Sequence, residues 1–177
     1  VLGVLTCEDL ADVVLVGHSY GGMVATGVAD RAAARIAKLV YVDAFAPRDG
    51  ESVMGLQAEP NRVRMREAIR TQGEGWKIPP NPMPADTSPE DVAWAMPRRF
   101  QQPAQTFEQP LKLTGAVDRL PRSYIYCLKS GPGDVFRQFY ERAKKEGWAA
   151  YELDASHNPH ITMPETLAGL LDQIAAA

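Results

Sequence analysis

The sequence predicts an α/β protein with a mostly parallel sheet flanked by helices, and three observations carry this prediction. Short apolar runs rich in β-branched residues recur along the chain, and helical patterns lie between them. A stretch dense in proline and glycine interrupts this alternation once. The 177 residues are long enough for one sizeable core and too few for two ordinary domains, so we expect one compact unit.

The first strand and helix are predicted close to the start of the chain. A buried strand is expected at residues 13–16 (VVLV), which end at Gly17. An Ala-rich segment with helical spacing follows from residue 22 to about residue 34, and KLVYVD at 38–43 forms a second buried strand. Two parallel strands joined by one helix make a βαβ unit, which we expect to be right-handed.

Strand and helix alternate again towards the C-terminus. The predicted elements are a strand at 124–128 (YIYCL), a helix at 135–145, a strand at 148–153 and a closing helix at 165–174. Residues 46–111 differ, because prolines and glycines are dense there and aromatic side chains are scattered among charges. We predict a helical cap insertion at 46–111, in which Ser88 begins a helix, and a core made of residues 1–45 and 112–177.

One motif in the chain is typical of catalysis. Gly17-His18-Ser19-Tyr20-Gly21 is a G-x-S-x-G sequence between a predicted strand and a predicted helix, where a nucleophile elbow lies. The serine of such a turn is strained, so the residues two before and two after it must be small. The helix dipole and the N–H of Tyr20 point to where negative charge develops on a tetrahedral intermediate. We predict Ser19 as nucleophile and Tyr20 as oxyanion-hole backbone; a glycine-rich turn without chemistry is the alternative.

A serine hydroxyl needs a base to accept its proton, and a third group must hold that base. Of the three histidines, His18 lies inside the motif and is expected to orient local structure. His157 follows the fourth strand at the carboxyl edge of the sheet, and His160 lies farther along the same loop. We therefore predict His157 as the base. No third ligand cluster accompanies the two loop histidines, so we expect no metal and no cofactor.

The acid has more than one candidate. Asp134 follows the third strand and gives the chain order Ser, Asp, His, but it is also well placed to cap the helix beginning at Val135. Asp43 at the end of the second strand is the main alternative, because an acid one strand earlier can also reach the histidine. We predict Asp134, with Asp118 and Asp154 as further alternatives.

Several segments together carry a family resemblance. They are DVVLVGHSYGGMV at 12–24, LVYVDAF at 39–45, YIYC and PGDVF within 124–136, and YELDASH at 151–157. They resemble the α/β-hydrolases grouped with plant hydroxynitrile lyases and methyl-salicylate-type esterases, particularly their small bacterial relatives. The resemblance implies an α/β-hydrolase fold and a triad of Ser19, Asp134 and His157. It also implies a serine hydrolase that cleaves a small or aromatic carboxylic ester through an acyl-enzyme.

The same resemblance separates ester hydrolysis from lyase activity. The lyases have a lysine directly after the catalytic histidine and often a cysteine after the serine, where this chain has Asn158 and Tyr20. Cyanohydrin cleavage needs that cation to hold the leaving cyanide, so ester hydrolysis is favoured. A lyase-like reaction and non-catalytic binding of a small molecule are the alternatives. Trp76, Trp94 and Phe100 of the insertion are predicted to bind substrate as parts of an apolar lid.

Charge and cysteine content limit the partners. The chain has 19 basic and 22 acidic residues and no basic run, which argues against a nucleic-acid partner. No run reaches the ~20 apolar residues of a membrane span. Cys7 and Cys127 lie in or near apolar segments, so we predict that both are reduced and buried. We expect a cytoplasmic enzyme that acts on a small ester and that could form a homodimer.

The start of the chain also differs from the family. Family members have N-terminal strands and a His-Gly loop that provides a second oxyanion donor, and nothing in this sequence corresponds to them. Residues 1–9 resemble the end of the helix that precedes the strand at 13–16. We therefore expect a partial enzyme in which the strand at 13–16 lies at an uncovered sheet edge, where unwanted pairing is favoured.

Overall fold

The computed structural model describes residues 1–131 and 133–177; Pro132, the first residue of the PGDVF segment, lies outside the described residues. The strands are β1 (Val13–Ser19), β2 (Ile36–Ala44), β3 (Lys77–Ile78), β4 (Gln102–Pro103), β5 (Arg122–Cys127) and β6 (Ala149–Leu153). The helices are α1 (Leu2–Cys7), α2 (Gly21–Arg31), α3 (Val53–Leu56), α4 (Glu59–Gln72), α5 (Pro89–Ala95), α6 (Gln105–Glu108), α7 (Arg137–Lys145), α8 (Pro159–Thr162) and α9 (Pro164–Ala176). Short 3-10 helices span Ala33–Arg35, Met96–Arg98 and Ala116–Arg119.

The main sheet confirms the predicted α/β class. Its strand order is β1-β2-β5-β6, and each neighbouring pair is parallel. The carboxyl ends of these strands therefore lie at one edge of the sheet. β1 is the outermost strand of this order, and the side chain of Val16 is 41% exposed, which agrees with the predicted edge position.

Helices cover both faces of the sheet. Side chains alternate between the faces because successive residues of a strand point in opposite directions. Tyr41 of β2 and Tyr124 of β5 belong to the core on the face covered by α2 and α7. Val40 and Ile125 belong to the core on the face covered by α9. The central strands are therefore buried on both sides, as their continuous apolar sequences predict.

The segment between β2 and β5 contains the helices α3 to α6 and an antiparallel ribbon of β3 and β4. Ser88 begins α5 as predicted, since its Oγ accepts a hydrogen bond from the backbone N–H of Asp91 at 3.0 Å. Met54, Ile69 and Ala104 form a small apolar cluster of this segment. The sequence did not predict the ribbon, whose strands are only two residues long.

Two details of the sequence interpretation change. The first helix of the βαβ unit ends at Arg31 rather than near residue 34, and the chain continues as the 3-10 helix Ala33–Arg35. Cys127 is buried as predicted, but Cys7 is exposed, because the short helix α1 buries Leu5 and leaves its other side chains at the surface. No helix among the described residues is long and apolar enough to cross a membrane.

Candidate active site

Ser19 lies at the end of β1, directly before Tyr20 and the start of α2. Its φ of 53° is in the left-handed region, which is uncommon for a residue other than glycine and is the strain expected of a nucleophile elbow. A Cβ atom at Gly17 would lie 2.8 Å from the Gly21 carbonyl oxygen and 2.9 Å from the Cβ of Ala25. The tight turn therefore requires glycine at position 17, as predicted.

The second glycine required by this turn is one position later than the motif predicted. A Cβ atom at Gly21 would meet no atom within 4 Å. A Cβ atom at Gly22 would overlap the carbonyl oxygen of Phe45 and lie 3.0 Å from the Cβ of Ala44. The close contact is between α2 and the end of β2, so the steric demand falls on Gly22.

A chain of hydrogen bonds connects Ser19, His157 and Asp43. The Nε2 atom of His157 is 2.9 Å from Ser19 Oγ, and its Nδ1 atom is 2.7 Å from Asp43 Oδ2. With the proton on Nδ1, the imidazole donates to the carboxylate and accepts from the serine hydroxyl. The His157 side chain is 32% exposed, whereas that of Asp43 is 1% exposed. The histidine beside Ser19 is therefore partly accessible to solvent, whereas the carboxylate behind it is not.

A β-bulge directs Asp43 towards the histidine. His18 pairs with Val42 and Ser19 pairs with Ala44, so Asp43 is the extra residue of β2 at this point. Its φ of 41° is in the left-handed region. A bulge bends the strand and changes the direction of a side chain, which explains how a residue in a buried strand reaches a loop at the sheet edge.

The Asp43 carboxylate is buried and has two partners. Burial raises its pKa, while the hydrogen bond from His157 and the nearby imidazole charge lower it, and the net direction is upward. Asp43 Oδ1 also accepts from the backbone N–H of Cys127 at 3.3 Å. These two contacts fix the carboxylate from both sides.

The prediction that Asp134 is the acid is wrong in this structure. Its Oδ2 atom accepts from the Tyr126 hydroxyl at 2.7 Å. Its Oδ1 atom accepts from the backbone N–H groups of Phe136 at 2.7 Å and Arg137 at 3.3 Å. The carboxylate therefore binds the backbone just before and at the start of α7. The predicted cap of a helix beginning at Val135 is not formed, because α7 begins at Arg137 and its N-cap residue is Phe136.

The two further acidic alternatives form surface ion pairs. Asp118 lies 3.1 Å from Arg122, and Asp154 lies 3.2 Å from Lys129. Both carboxylates are largely exposed, at 68% and 75% of their side-chain surface. The carboxylate that lies beside His157 Nδ1 is that of Asp43.

Two rings enclose the imidazole of His157. Phe136 stacks on it with centroids 4.9 Å apart and an interplanar angle of 9°. His18 lies 4.7 Å away, and its Nε2–H donates to the carbonyl oxygen of His157 at 2.6 Å. Burial and the neighbouring His157 lower the pKa of His18 to about 3, so this ring stays neutral and has the structural role predicted for it. No pattern in the sequence predicts a role for Phe136, which lies between Asp134 and the start of α7.

His160 is the third ring of this group. Its centroid lies 4.6 Å from that of His18, and burial together with His157 lowers its pKa. In the described part of the chain, no group of three or more His, Cys, Asp and Glu side chains is arranged to hold a metal ion.

Tyr20 connects the serine turn to the insertion. Its backbone lies at the N-terminus of α2, where a helix dipole favours negative charge. Its ring stacks on Phe107 with centroids 5.1 Å apart and planes at 4°, and its hydroxyl donates to the Thr106 carbonyl at 3.4 Å. Helix α6 therefore lies beside the elbow.

The three aromatic residues predicted to bind substrate lie elsewhere. Trp76 and Trp94 are each 55% exposed, and Phe100 is 82% exposed. Trp76 and Phe100 line a surface groove of about 430 Å³ whose lining contains none of the three hydrogen-bonded site residues. Lys77 and Arg98 lie over the two tryptophan rings at 4.8 and 5.0 Å. The prediction is corrected, because the two tryptophan rings pack with surface cations and Phe100 is largely exposed.

The fold and the site together define a class of protein. A parallel sheet with a strained serine between strand and helix, and with a histidine and an aspartate at the same sheet edge, is the architecture of the α/β-hydrolases. The chain belongs to the alpha/beta hydrolase family, whose model matches residues 2–170. The resemblance of the motifs is thereby confirmed.

Two similar proteins indicate which kind of hydrolase this chain is. The chain is 37% identical over 180 residues to a carbendazim hydrolyzing esterase of Nocardioides sp. (strain SG-4G), covering 95% of this chain and 73% of that protein. It is 28% identical to a pyrethroid hydrolase of Sphingobium wenxiniae, covering 93% of this chain and 64% of that protein. These relatives place the chain among the carboxylic ester hydrolases of the family.

A solved structure agrees with this placement. The chain matches an extracellular alpha/beta-hydrolase from a Paenibacillus species, described as sharing structural and functional homology with Tobacco Salicylic Acid Binding Protein 2. The TM-score is 0.79 at 25% identity, and the match covers 97% of this chain and 75% of that one. The chain thus spans about three quarters of this related fold, which agrees with the predicted partial fold.

Proposed function

We propose that this protein hydrolyses a carboxylic ester of a small or aromatic substrate by two-step acyl transfer through Ser19, His157 and Asp43. The observation that carries the proposal is the hydrogen-bond chain from Ser19 Oγ through both ring nitrogens of His157 to Asp43 Oδ2. Each member has the chemical character that its role requires: a strained hydroxyl, an imidazole hydrogen-bonded through both ring nitrogens, and a buried carboxylate.

In the first step, Ser19 Oγ attacks the carbonyl carbon of the ester, and its proton moves to Nε2 of His157. The Nδ1–H group of the resulting imidazolium donates to Asp43, whose negative charge stabilises it. The oxyanion of the tetrahedral intermediate accepts from the N–H of Tyr20 at the positive end of α2. The intermediate collapses when the leaving alkoxide takes the proton from Nε2.

In the second step, a water molecule attacks the acyl-enzyme while His157 accepts its proton. Collapse of the second tetrahedral intermediate releases the acid and returns the proton to Ser19. The ring stacking of Phe136 holds the imidazole, and the hydrogen bond from His18 holds the backbone carbonyl of His157, through both steps. No group other than these side chains and water is needed for the balance of protons.

We propose that residues 46–111 act as a cap and that α6 provides its contact with the site. The stack of Tyr20 on Phe107 and the hydrogen bond to Thr106 support this role, because they hold the cap against the elbow. Apolar rings beside the elbow, such as those of Tyr20 and Phe107, suit the binding of a small or aromatic ester group. Relatives named for carbendazim and pyrethroid hydrolysis support an ester of this class.

A fluorophosphonate probe tests the proposal directly, because it labels an activated serine and leaves a binding-only protein unlabelled. We expect labelling of the native chain and its loss in Ser19→Ala, together with a fall in p-nitrophenyl ester turnover on the order of 10⁴ to 10⁶. Ser88→Ala is the matched control, since it removes a serine that caps α5 and should keep both labelling and turnover. Undiminished turnover in Ser19→Ala would refute the serine mechanism.

We also propose that the protein works in the cytoplasm. Cys7 is an exposed free thiol, which suits a reducing compartment. The Paenibacillus relative is extracellular, so the location is to be measured for this chain. Fractionation of the native cells with an antibody against the chain would decide it, and recovery from the culture medium would contradict the proposal.

A further inference from the structure

Asp43 contacts His157 from a β-bulge, and the hydroxyl of Tyr124 binds the next residue, Ala44. Tyr124 of β5 is fully buried, at 0% exposure. Its hydroxyl accepts a hydrogen bond from the Ala44 N–H at 3.1 Å and donates one to the Ala44 carbonyl oxygen at 2.7 Å. Both polar groups of the residue after the bulge therefore bind one atom.

These contacts replace the regular backbone hydrogen bonds between neighbouring strands, which the bulge interrupts at this point. A bulge leaves backbone groups of the strand without their usual partners, and burying such groups unpaired costs free energy. The N–H of Ala44 belongs to the peptide that joins Asp43 to Ala44. By fixing this peptide, the Tyr124 hydroxyl fixes the backbone from which the Asp43 side chain projects.

The second contact extends to the nucleophile. The Ala44 carbonyl belongs to the peptide between Ala44 and Phe45, and the N–H of this peptide donates to the Ser19 carbonyl at 3.2 Å. One peptide plane thus has the Tyr124 hydroxyl on one side and the backbone of Ser19 on the other. The hydroxyl lies between the elements that carry the acid and the serine.

We propose that Tyr124 is a positioning residue for ester hydrolysis, whose hydroxyl locks the bulge and so aims the Asp43 carboxylate at His157. The inference rests on the triad of the proposed function. Tyr124 touches neither the reacting serine oxygen nor the imidazole. It acts mainly through Ala44, and its hydroxyl also lies 3.5 Å from the carbonyl oxygen of Phe136, at the outer limit of a hydrogen bond. Burial, followed by the charge of Asp43, raises the pKa of Tyr124 well above its ordinary value, so the hydroxyl keeps the proton it donates.

Tyr41 provides a matched control. It is 1% exposed, lies in β2 on the same face of the sheet, and its hydroxyl is 2.8 Å from Thr26 Oγ1. Tyr41→Phe removes the same atom from the same core without touching Ala44. Any effect of losing a buried tyrosine hydroxyl on folding is therefore shared by the two variants, and an effect on the bulge belongs to Tyr124→Phe alone.

The experiment compares p-nitrophenyl ester kinetics of the two variants per mole of folded chain. Small displacements of a catalytic group lower rates steeply, so we expect Tyr124→Phe to lower kcat on the order of 10- to 100-fold with little change in KM. Tyr41→Phe should stay within about 2-fold of the native kcat. A misaimed Asp43 stabilises the imidazolium less, so the acid limb of kcat/KM should move to lower pH in Tyr124→Phe and remain in place in Tyr41→Phe.

A second pair of variants separates this inference from the proposed function. In an Asp43→Asn background the lock has no carboxylate to aim, so adding Tyr124→Phe should change turnover by less than about 2-fold. The inference is overturned if Tyr124→Phe matches Tyr41→Phe in kcat and acid limb, or if its full loss persists in the Asp43→Asn background. Near-native turnover of Asp43→Asn alone would instead overturn the triad itself.

Discussion

Asp43 lies near the end of β2 and Asp134 follows the neighbouring strand β5, yet their carboxylates have different partners. Asp43 occupies a bulge with φ of 41°, and its carboxylate points at His157. Asp134 lies in the loop before α7, and its carboxylate accepts from the first backbone N–H groups of that region. A position close to the sheet edge is therefore not sufficient to make an aspartate the partner of His157. The local backbone conformation decides which donor a short side chain can reach.

The largest expected effect is the difference in ester turnover between the asparagine variants of the two aspartates. Asp43→Asn should lower ester turnover on the order of 10⁴-fold, because the imidazole loses the partner that sets its tautomer and stabilises its charged form. Asp134→Asn should stay within about 10-fold of the native rate, because asparagine keeps an oxygen that can cap the loop. Steady-state kinetics with a p-nitrophenyl ester measures both. A greater loss in Asp134→Asn would reverse the comparison and restore Asp134 as the acid.

An effect of intermediate size is expected when the packing of α2 against the end of β2 is disturbed, because this packing positions the strand end that carries Asp43. Gly22→Ala would place a methyl group on the Phe45 carbonyl, so the strand end must move. We expect a loss of about 1 to 3 kcal/mol in the free energy of unfolding, with turnover lower on the order of 100-fold. Gly21→Ala is the control, since its methyl group would enter open space. Urea unfolding and kinetics compare the two, and greater damage from Gly21→Ala would contradict this account.

The sequence predicts those parts of the site that depend on local patterns. The apolar run before Gly17 predicts the strand, the motif predicts the turn at Ser19, and the loop after the last strand predicts His157. The bulge at Asp43 arises from the register of β1 against β2, which pairs Ser19 with Ala44, and no local pattern encodes that register. From sequence alone, chain order therefore favours Asp134 as the acid.

The aromatic residues of the insertion show the same limit. Trp94 and Phe100 look like lid residues in the sequence because large apolar side chains suit a pocket. Their exposure depends on how the short helices of residues 46–111 pack, which is set by contacts distant in sequence. Phe107 and Phe136 reach the site instead, through Tyr20 and His157 respectively. Ser19 and His157 were predictable from sequence, whereas the choice of the acid and the residues that surround the site were not.

The smallest expected effect is the contribution of the buried Asp43 to stability. Because the pKa of Asp43 is raised in the folded protein, mainly by burial, its charged form is disfavoured there relative to the unfolded chain. The stability linked to this group is fully present below the unfolded pKa of about 4 and is lost as the pH rises through the higher folded pKa. Asparagine does not titrate, so Asp43→Asn should unfold at higher urea concentration than the native chain at pH 7.5, and the difference should disappear towards pH 4. Urea unfolding of the native chain and of Asp43→Asn at pH 4 and pH 7.5 measures this difference. Equal or lower stability of Asp43→Asn at pH 7.5 would mean that the hydrogen bond from His157 outweighs the cost of burial, whereas a gain would show that the acid is held at a cost to the fold that catalysis requires.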